Sequence, residues 1–149
     1  MPRTATKTDL PSRLRFAVMR LARQLRQQDD QDDVTPSGAS ALSSLERLGP
    51  LTLGRLAAVE RVRPPSVTKI VDRLEQLGLA RREVDPSDRR SSLVHLTDDG
   101  RRHLAEARKR KTAYLASRLA SLPAEDVAKL EAALSVIEDL LSGTEDDSR

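Results

Sequence analysis

The sequence predicts a mainly α-helical protein carrying one small β-hairpin. Apolar residues recur every three or four positions through most of its 149 residues, the spacing that lines one side of a helix. Those residues are almost all Leu, Val, Ile and Ala, with one Phe, one Tyr and no Trp, a composition suited to helical cores rather than a large sheet. The period changes to two in a single place, around Val94.

The first helix spans residues 9–28: Leu10, Leu14, Ala17, Val18, Leu21 and Leu25 keep helical spacing, and Pro11 falls in the first turn, where proline is tolerated. Phe16 and Met19 lie off this stripe; a wide core stripe is preferred here over a second surface for a partner or ligand. Residues 28–33 are a polar linker. Thr35 and Pro36 then supply an N-cap and a first-turn proline for a second helix, which turns Leu42, Leu45 and Leu48 inward and stops at Gly49-Pro50. Thr52 caps a short third helix with Leu53, Leu56 and Ala57 on one face. Pro64-Pro65 open a fourth, in which Val67, Ile70, Val71, Leu74 and Leu77 share the buried side and Gly78 marks the end.

Val84 leads into the charged loop Asp85-Pro86-Ser87-Asp88-Arg89-Arg90, and residues 92–96 alternate in polarity, so this segment reads as a hairpin. Thr97-Asp98-Asp99 caps a long fifth helix running to about Ser121 with Leu104, Ala107, Leu115 and Leu119. Pro123 and Glu125 open a sixth, whose Val127, Leu130, Leu134, Ile137 and Leu141 are spaced 3, 4, 3, 4. That is a heptad seam, most economically filled by a partner chain.

Net charge is only +3, but residues 51–111 hold 15 basic against 9 acidic residues while residues 112–149 hold 3 against 8. Arg outnumbers Lys 21 to 5; codon usage could explain the choice of Arg, but not its placement. The absence of cysteine excludes disulfides, thiolate metal sites and thiol switches. His95 and His103 have no ligand spacing, so no catalytic, cofactor or metal chemistry is expected. No run of 18 apolar residues occurs and the first residues lack the apolar stretch of a signal peptide, which predicts a soluble cytoplasmic protein with no membrane partner. The consecutive basic residues Arg108, Lys109, Arg110 and Lys111 point all round their helix and read as solvated surface.

Short helix, turn, helix, then a hairpin with a basic tip is the layout of a winged helix-turn-helix, whose second helix enters the major groove of duplex DNA. The candidate contacts on that helix are Arg63, Ser66, Thr68, Lys69 and Arg73. Hydroxyls and Lys69 suit phosphates, and the fork of Arg73 suits guanine. Arg89 and Arg90 at the hairpin tip suit a minor groove narrowed by A·T sequence, with Asp88 as a brace for an adjacent guanidinium.

The segments Leu51-Thr52-Leu53-Gly54-Arg55-Leu56-Ala57, Ser66-Val67-Thr68-Lys69-Ile70-Val71-Asp72-Arg73-Leu74-Glu75, Gly78-Leu79-Ala80, Asp85-Pro86-Ser87-Asp88-Arg89-Arg90 and Leu96-Thr97-Asp98-Asp99-Gly100 together resemble the MarR family. The resemblance runs in element order over about residues 10–142. It implies a homodimer on a pseudo-palindromic operator, and repression relieved by small, often aromatic or phenolic ligands bound between a dimer lobe and a DNA-binding lobe. It also gives Arg90 the role of minor-groove finger. In that organisation residues 35–96 form the winged helix-turn-helix lobe and residues 10–28 and 97–142 the dimerisation helices, flanked by disordered tails at 1–9 and 143–149. Arg15, Phe16, Arg20 and Tyr114 are the candidate effector contacts: one aromatic wall with an arginine for an acidic ligand. The alternative is a winged-helix module that binds another protein and no specific DNA; the basic middle segment weighs against it, and an enzyme ranks third.

Overall fold

A computed structural model describes residues 9–29 and 33–142. The expected tails, Asp9 apart, and the middle of the 28–33 linker lie outside the described residues. The elements are α1 (Leu10–Gln27), α2 (Pro36–Leu48), β1 (Leu51–Thr52), α3 (Leu53–Glu60), α4 (Pro64–Gln76), β2 (Ala80–Val84), β3 (Ser92–Leu96), α5 (Asp98–Leu119) and α6 (Ala124–Ser142). The protein is therefore mainly helical with a small antiparallel sheet, ordered β1-β3-β2. It divides between Lys111 and Thr112 into two compact units.

In the first unit the caps fall where the sequence put them. Thr35 Oγ1 accepts from the Gly38 amide at 3.1 Å and Thr52 Oγ1 from the Arg55 amide at 3.2 Å. Gly78 follows α4 with φ +72°, a conformation that costs glycine nothing. The core fills the space between α2, α3, α4 and the sheet: Leu42, Leu56, Val67, Val71 and Val94 are fully buried and Leu74 nearly so. Each such side chain is worth roughly 1.5–3 kcal/mol of transfer free energy. This core fixes the inner face of α4 and of the hairpin, and so leaves their outer faces in a set relation.

Thr97 joins the hairpin to α5. Its hydroxyl donates to the Gly78 carbonyl at 2.7 Å and accepts from the Gly100 amide at 3.0 Å. A Cβ on Gly100 would collide with the Leu79 carbonyl oxygen and the Leu96 side chain, which is the steric reason for glycine in the Leu-Thr-x-x-Gly segment.

Several expectations need correction. Leu48 does not turn inward but is 45% exposed, because it ends α2 where the chain leaves the core. Before α3, Leu51 and Thr52 pair with Val94 and Leu93 as an extra strand. The basic run on α5 is not a bare solvated surface: Arg108 forks onto Glu46 of α2 at 2.7 and 2.9 Å, and Lys111 meets Asp29 at 2.5 Å with Arg110 at 3.2 Å from the same carboxylate. The stripe on α1 is not a core stripe within the chain either, since no residue of that helix is buried. In the second unit, α6 likewise buries nothing, and its seam residues Leu130, Leu134 and Leu141 stand open.

Candidate nucleic-acid interface

Helix α4 offers Ser66, Lys69, Asp72 and Arg73 to solvent, with Thr68 half-buried. This follows from the apolar spacing, because burying Val67, Val71 and Leu74 rotates the polar positions outward. Among the described residues, the side chains of Arg63, Lys69, Arg89 and Arg90 have no hydrogen-bond or ion-pair partner. Arg73 reaches only Gln76, at 3.4 Å. Thr68 is different: its hydroxyl donates to the Pro64 carbonyl at 3.1 Å, so in this rotamer it presents an acceptor outward rather than a donor for phosphate.

The two prolines change what the start of α4 can do. A helix normally leaves its first amides free for an anion. Here Pro64 and Pro65 have none, and the amides of Ser66 and Val67 both donate to the Arg63 carbonyl, at 2.9 and 3.2 Å. Any anion held at this end is therefore held by side chains, and the N-cap residue itself, Arg63, is a cation.

In the hairpin loop Asp85 closes an Asx turn, its Oδ1 accepting from the Ser87 amide and hydroxyl at 2.8 and 2.7 Å. Those two donors hold the Asp85 carboxyl below the usual aspartate range. Asp88 does brace the tip, but not through a guanidinium as expected: its Oδ1 accepts from the backbone amide of Arg90 at 3.0 Å. That bond ties the tip backbone to Asp88, and both arginines are exposed to solvent. His95 lies at the other end of the hairpin, 3.2 Å from Glu83.

One residue escaped the sequence reading. Arg82 on β2 donates its amide to Glu75 Oε1 at 2.8 Å, its Nη1 to Glu75 Oε2, and its Nη2 to Asp72 Oδ1 at 2.7 Å. Strand alternation could have found it, since Arg82 is in phase with the buried Ala80 and must meet α4.

The model of the MarR family matches residues 34–92, the stretch containing α2, α3, α4 and both hairpin strands up to the first residue of β3. An HTH-type transcriptional regulator of Mycobacterium leprae is 40% identical over 132 residues, 89% of this chain and 92% of that relative. The chain belongs to the MarR family. It is a transcriptional regulator with a helix-turn-helix, as its relatives are named. A Pseudomonas aeruginosa protein described as a transcriptional regulator shares the fold at TM-score 0.80 and 32% identity, over 93% of this chain and 98% of that one. The transcriptional repressor MdtR of Bacillus subtilis is 29% identical over 80% of this chain and 77% of its own length.

The effector contacts suggested for this MarR-family chain fall in different units, Arg15, Phe16 and Arg20 in the first and Tyr114 in the second. The Arg20 guanidinium lies 5.6 Å over the Phe16 ring, and that of Arg118 lies 5.8 Å over Tyr114. Arg15 leans toward the Met19 sulfur at 3.9 Å. A recess the sequence did not suggest lies beside the Asp29–Lys111 pair, with Arg26, Val34 and Thr35 in its wall and a volume of about 210 Å³, below the usual range for drug-sized ligands. No helix among the described residues is long and apolar enough to cross a membrane, and no cluster there could hold a metal ion.

Proposed function

We propose that this MarR-family regulator is a homodimeric repressor of a pseudo-palindromic duplex operator, released by a small ligand. Residues 35–96 act as the DNA-binding lobe, with α4 in the major groove through Arg63, Ser66, Thr68, Lys69 and Arg73. Arg89 and Arg90 enter the flanking minor groove, and Asp88 keeps their backbone in place. The observation that carries the reading is that α4 and the hairpin tip, held in a set relation by one core, both present exposed cations, Arg63 and Lys69 with Arg89 and Arg90, whose side chains pair with no carboxylate among the described residues. Residues 10–28 and 97–142 serve as dimerisation helices. The uncovered apolar residues of α1 and α6 support this, and two-fold symmetry places half-sites about 10 base pairs apart. The repressor MdtR among the relatives supports the direction of control. For the effector, Arg15, Phe16, Arg20 and Tyr114 remain the proposed contacts, and substituting Phe16 or Tyr114 with alanine should blunt release from DNA.

The test is binding to the DNA upstream of the chain's own gene, compared with a random duplex across a salt series. Wild type should prefer its own DNA and lose affinity steeply as salt rises. Arg90→Ala should weaken that binding by about tenfold or more, the usual range for one lost groove contact. Equal binding of both duplexes by wild type would sink the reading.

A further inference from the structure

The contacts of Arg82 reach beyond bracing the fold. Its side chain is 24% exposed, against 51% for Asp72 and 31% for Glu75, so the guanidinium is the more sheltered member of the group. Asp72 and Glu75 lie three positions apart on α4 and converge on the two terminal nitrogens of one planar fork, a geometry that arginine satisfies and the point charge of lysine does not. Glu75 also holds the Arg82 main chain at 2.8 Å. The strand is thus clasped to the helix at backbone and side chain together.

Two features make that clasp matter for recognition. Asp72 shares the solvent face of α4 with Lys69 and Arg73, where a lone carboxylate would repel phosphate; Arg82 offsets that charge. Arg82 also stands two residues before the end of β2, about 7 Å along the strand, beyond which the loop carries Arg89 and Arg90. Because a hydrogen bond is lost over less than about 1 Å, a small tilt of the hairpin at Arg82 would move the tip arginines out of register with α4.

We propose that Arg82 is a positioning residue for DNA recognition: by clasping Asp72 and Glu75 it sets the hairpin against α4 so that both engage one duplex at once. This rests on the DNA-binding reading above. The proposal assigns Arg82 no contact with DNA, since its terminal nitrogens are occupied by the two carboxylates.

The test uses full-length protein and the duplex that wild type enriches most from a randomised pool, with a random duplex as reference. Affinity is read by fluorescence anisotropy across a salt series for wild type, Arg82→Ala, Arg82→Lys, Arg90→Ala and the double variant Arg82→Ala/Arg90→Ala, at a temperature where melting curves show all folded. Arg82→Ala should weaken the enriched duplex about tenfold while changing random-duplex binding far less, and Arg82→Lys should not restore it. Arg90→Ala should then cost little more in the Arg82→Ala background, because the tip is already displaced. Independent, multiplying losses would overturn the positioning role. An equal loss on both duplexes with a salt slope lower by about one would mean a direct phosphate contact instead. Unchanged affinity would leave Arg82 a fold brace only. Should Arg82→Ala not fold, Glu75→Gln keeps the shape while weakening the clasp and must give the same duplex-selective loss, or the proposal fails. Failure of wild type to enrich any duplex is a separate result, and it overturns the DNA-binding reading along with this one.

Discussion

Arg61 alone, among the described residues other than glycine, has a positive φ, +53°. The turn after α3 demands it: the amides of Arg61 and Val62 fold back onto the Ala58 and Ala57 carbonyls at 3.2 and 3.0 Å, and a left-handed residue is what closes such an end. A side chain there costs about 1–2 kcal/mol, of which the looser unfolded chain of a glycine variant takes back about 0.4–1. Arg61→Gly should therefore raise stability by roughly half a kcal/mol, about 2 °C in a thermal melt. A lower melting temperature would show that the guanidinium contributes more than the backbone loses. The strain was not legible in the sequence, where Glu60-Arg61-Val62-Arg63 shows only a turn without glycine. The outward face of α4 was legible, because apolar spacing fixes what points away from the core. The partner of Asp72 was not, since Arg82 lies ten residues on in a strand, outside any helical spacing rule. Nor could spacing show that the Thr68 hydroxyl turns back to Pro64, a rotamer choice set within one helical turn.

Helix ends were read well because they are decided locally: Thr35, Thr52 and Gly78 each satisfy or free a backbone group within a few residues. β1 was missed for the opposite reason, as two residues carry no periodicity and pair only because β3 arrives beside them. The same limit hid the ion pairs on α5. Arg108 and Glu46 are separated by 62 positions, yet they join α5 to α2 through two hydrogen bonds. The Arg108 guanidinium holds the Glu46 carboxyl below its ordinary value of 4.5. A carboxyl with a depressed folded value stabilises the fold above its unfolded pKa, and that contribution fades as pH falls through the folded value. The same hydrogen bonds to Glu46 raise the pKa of Arg108, which therefore stays charged throughout the acid range. Glu46→Gln should accordingly melt below wild type at pH 7, and the gap should close as pH drops below about 4.5. Because both groups are partly solvated, the gap should also shrink with added salt. Parallel melting curves from pH 7 to 3 would show that the pair contributes nothing.

For the whole molecule, the decisive feature is where apolar surface remains uncovered. The core of the first unit is closed, yet on α1 Leu10, Phe16, Val18 and Met19 are each at least half exposed, and on α6 Leu134, Val136, Leu140 and Leu141 are more than half exposed. The heptad spacing on α6 was legible in the sequence, and the need for a partner was inferred from length. A second copy of the chain is the proposed cover, and it ties folding to association: an obligate dimer melts at a temperature that rises with protein concentration. Leu134→Glu places a charge in the seam, where a partner would have to bury it unpaired. The variant should sediment as a monomer, melt lower and lose the concentration dependence. It should also bind an operator much more weakly, because one lobe then engages one half-site without the gain from linking two. Sedimentation equilibrium on both proteins decides the matter. Equal mass and unaltered operator affinity would mean that the α6 seam is not where the two copies meet, and that the exposed face of α1 must carry the association instead.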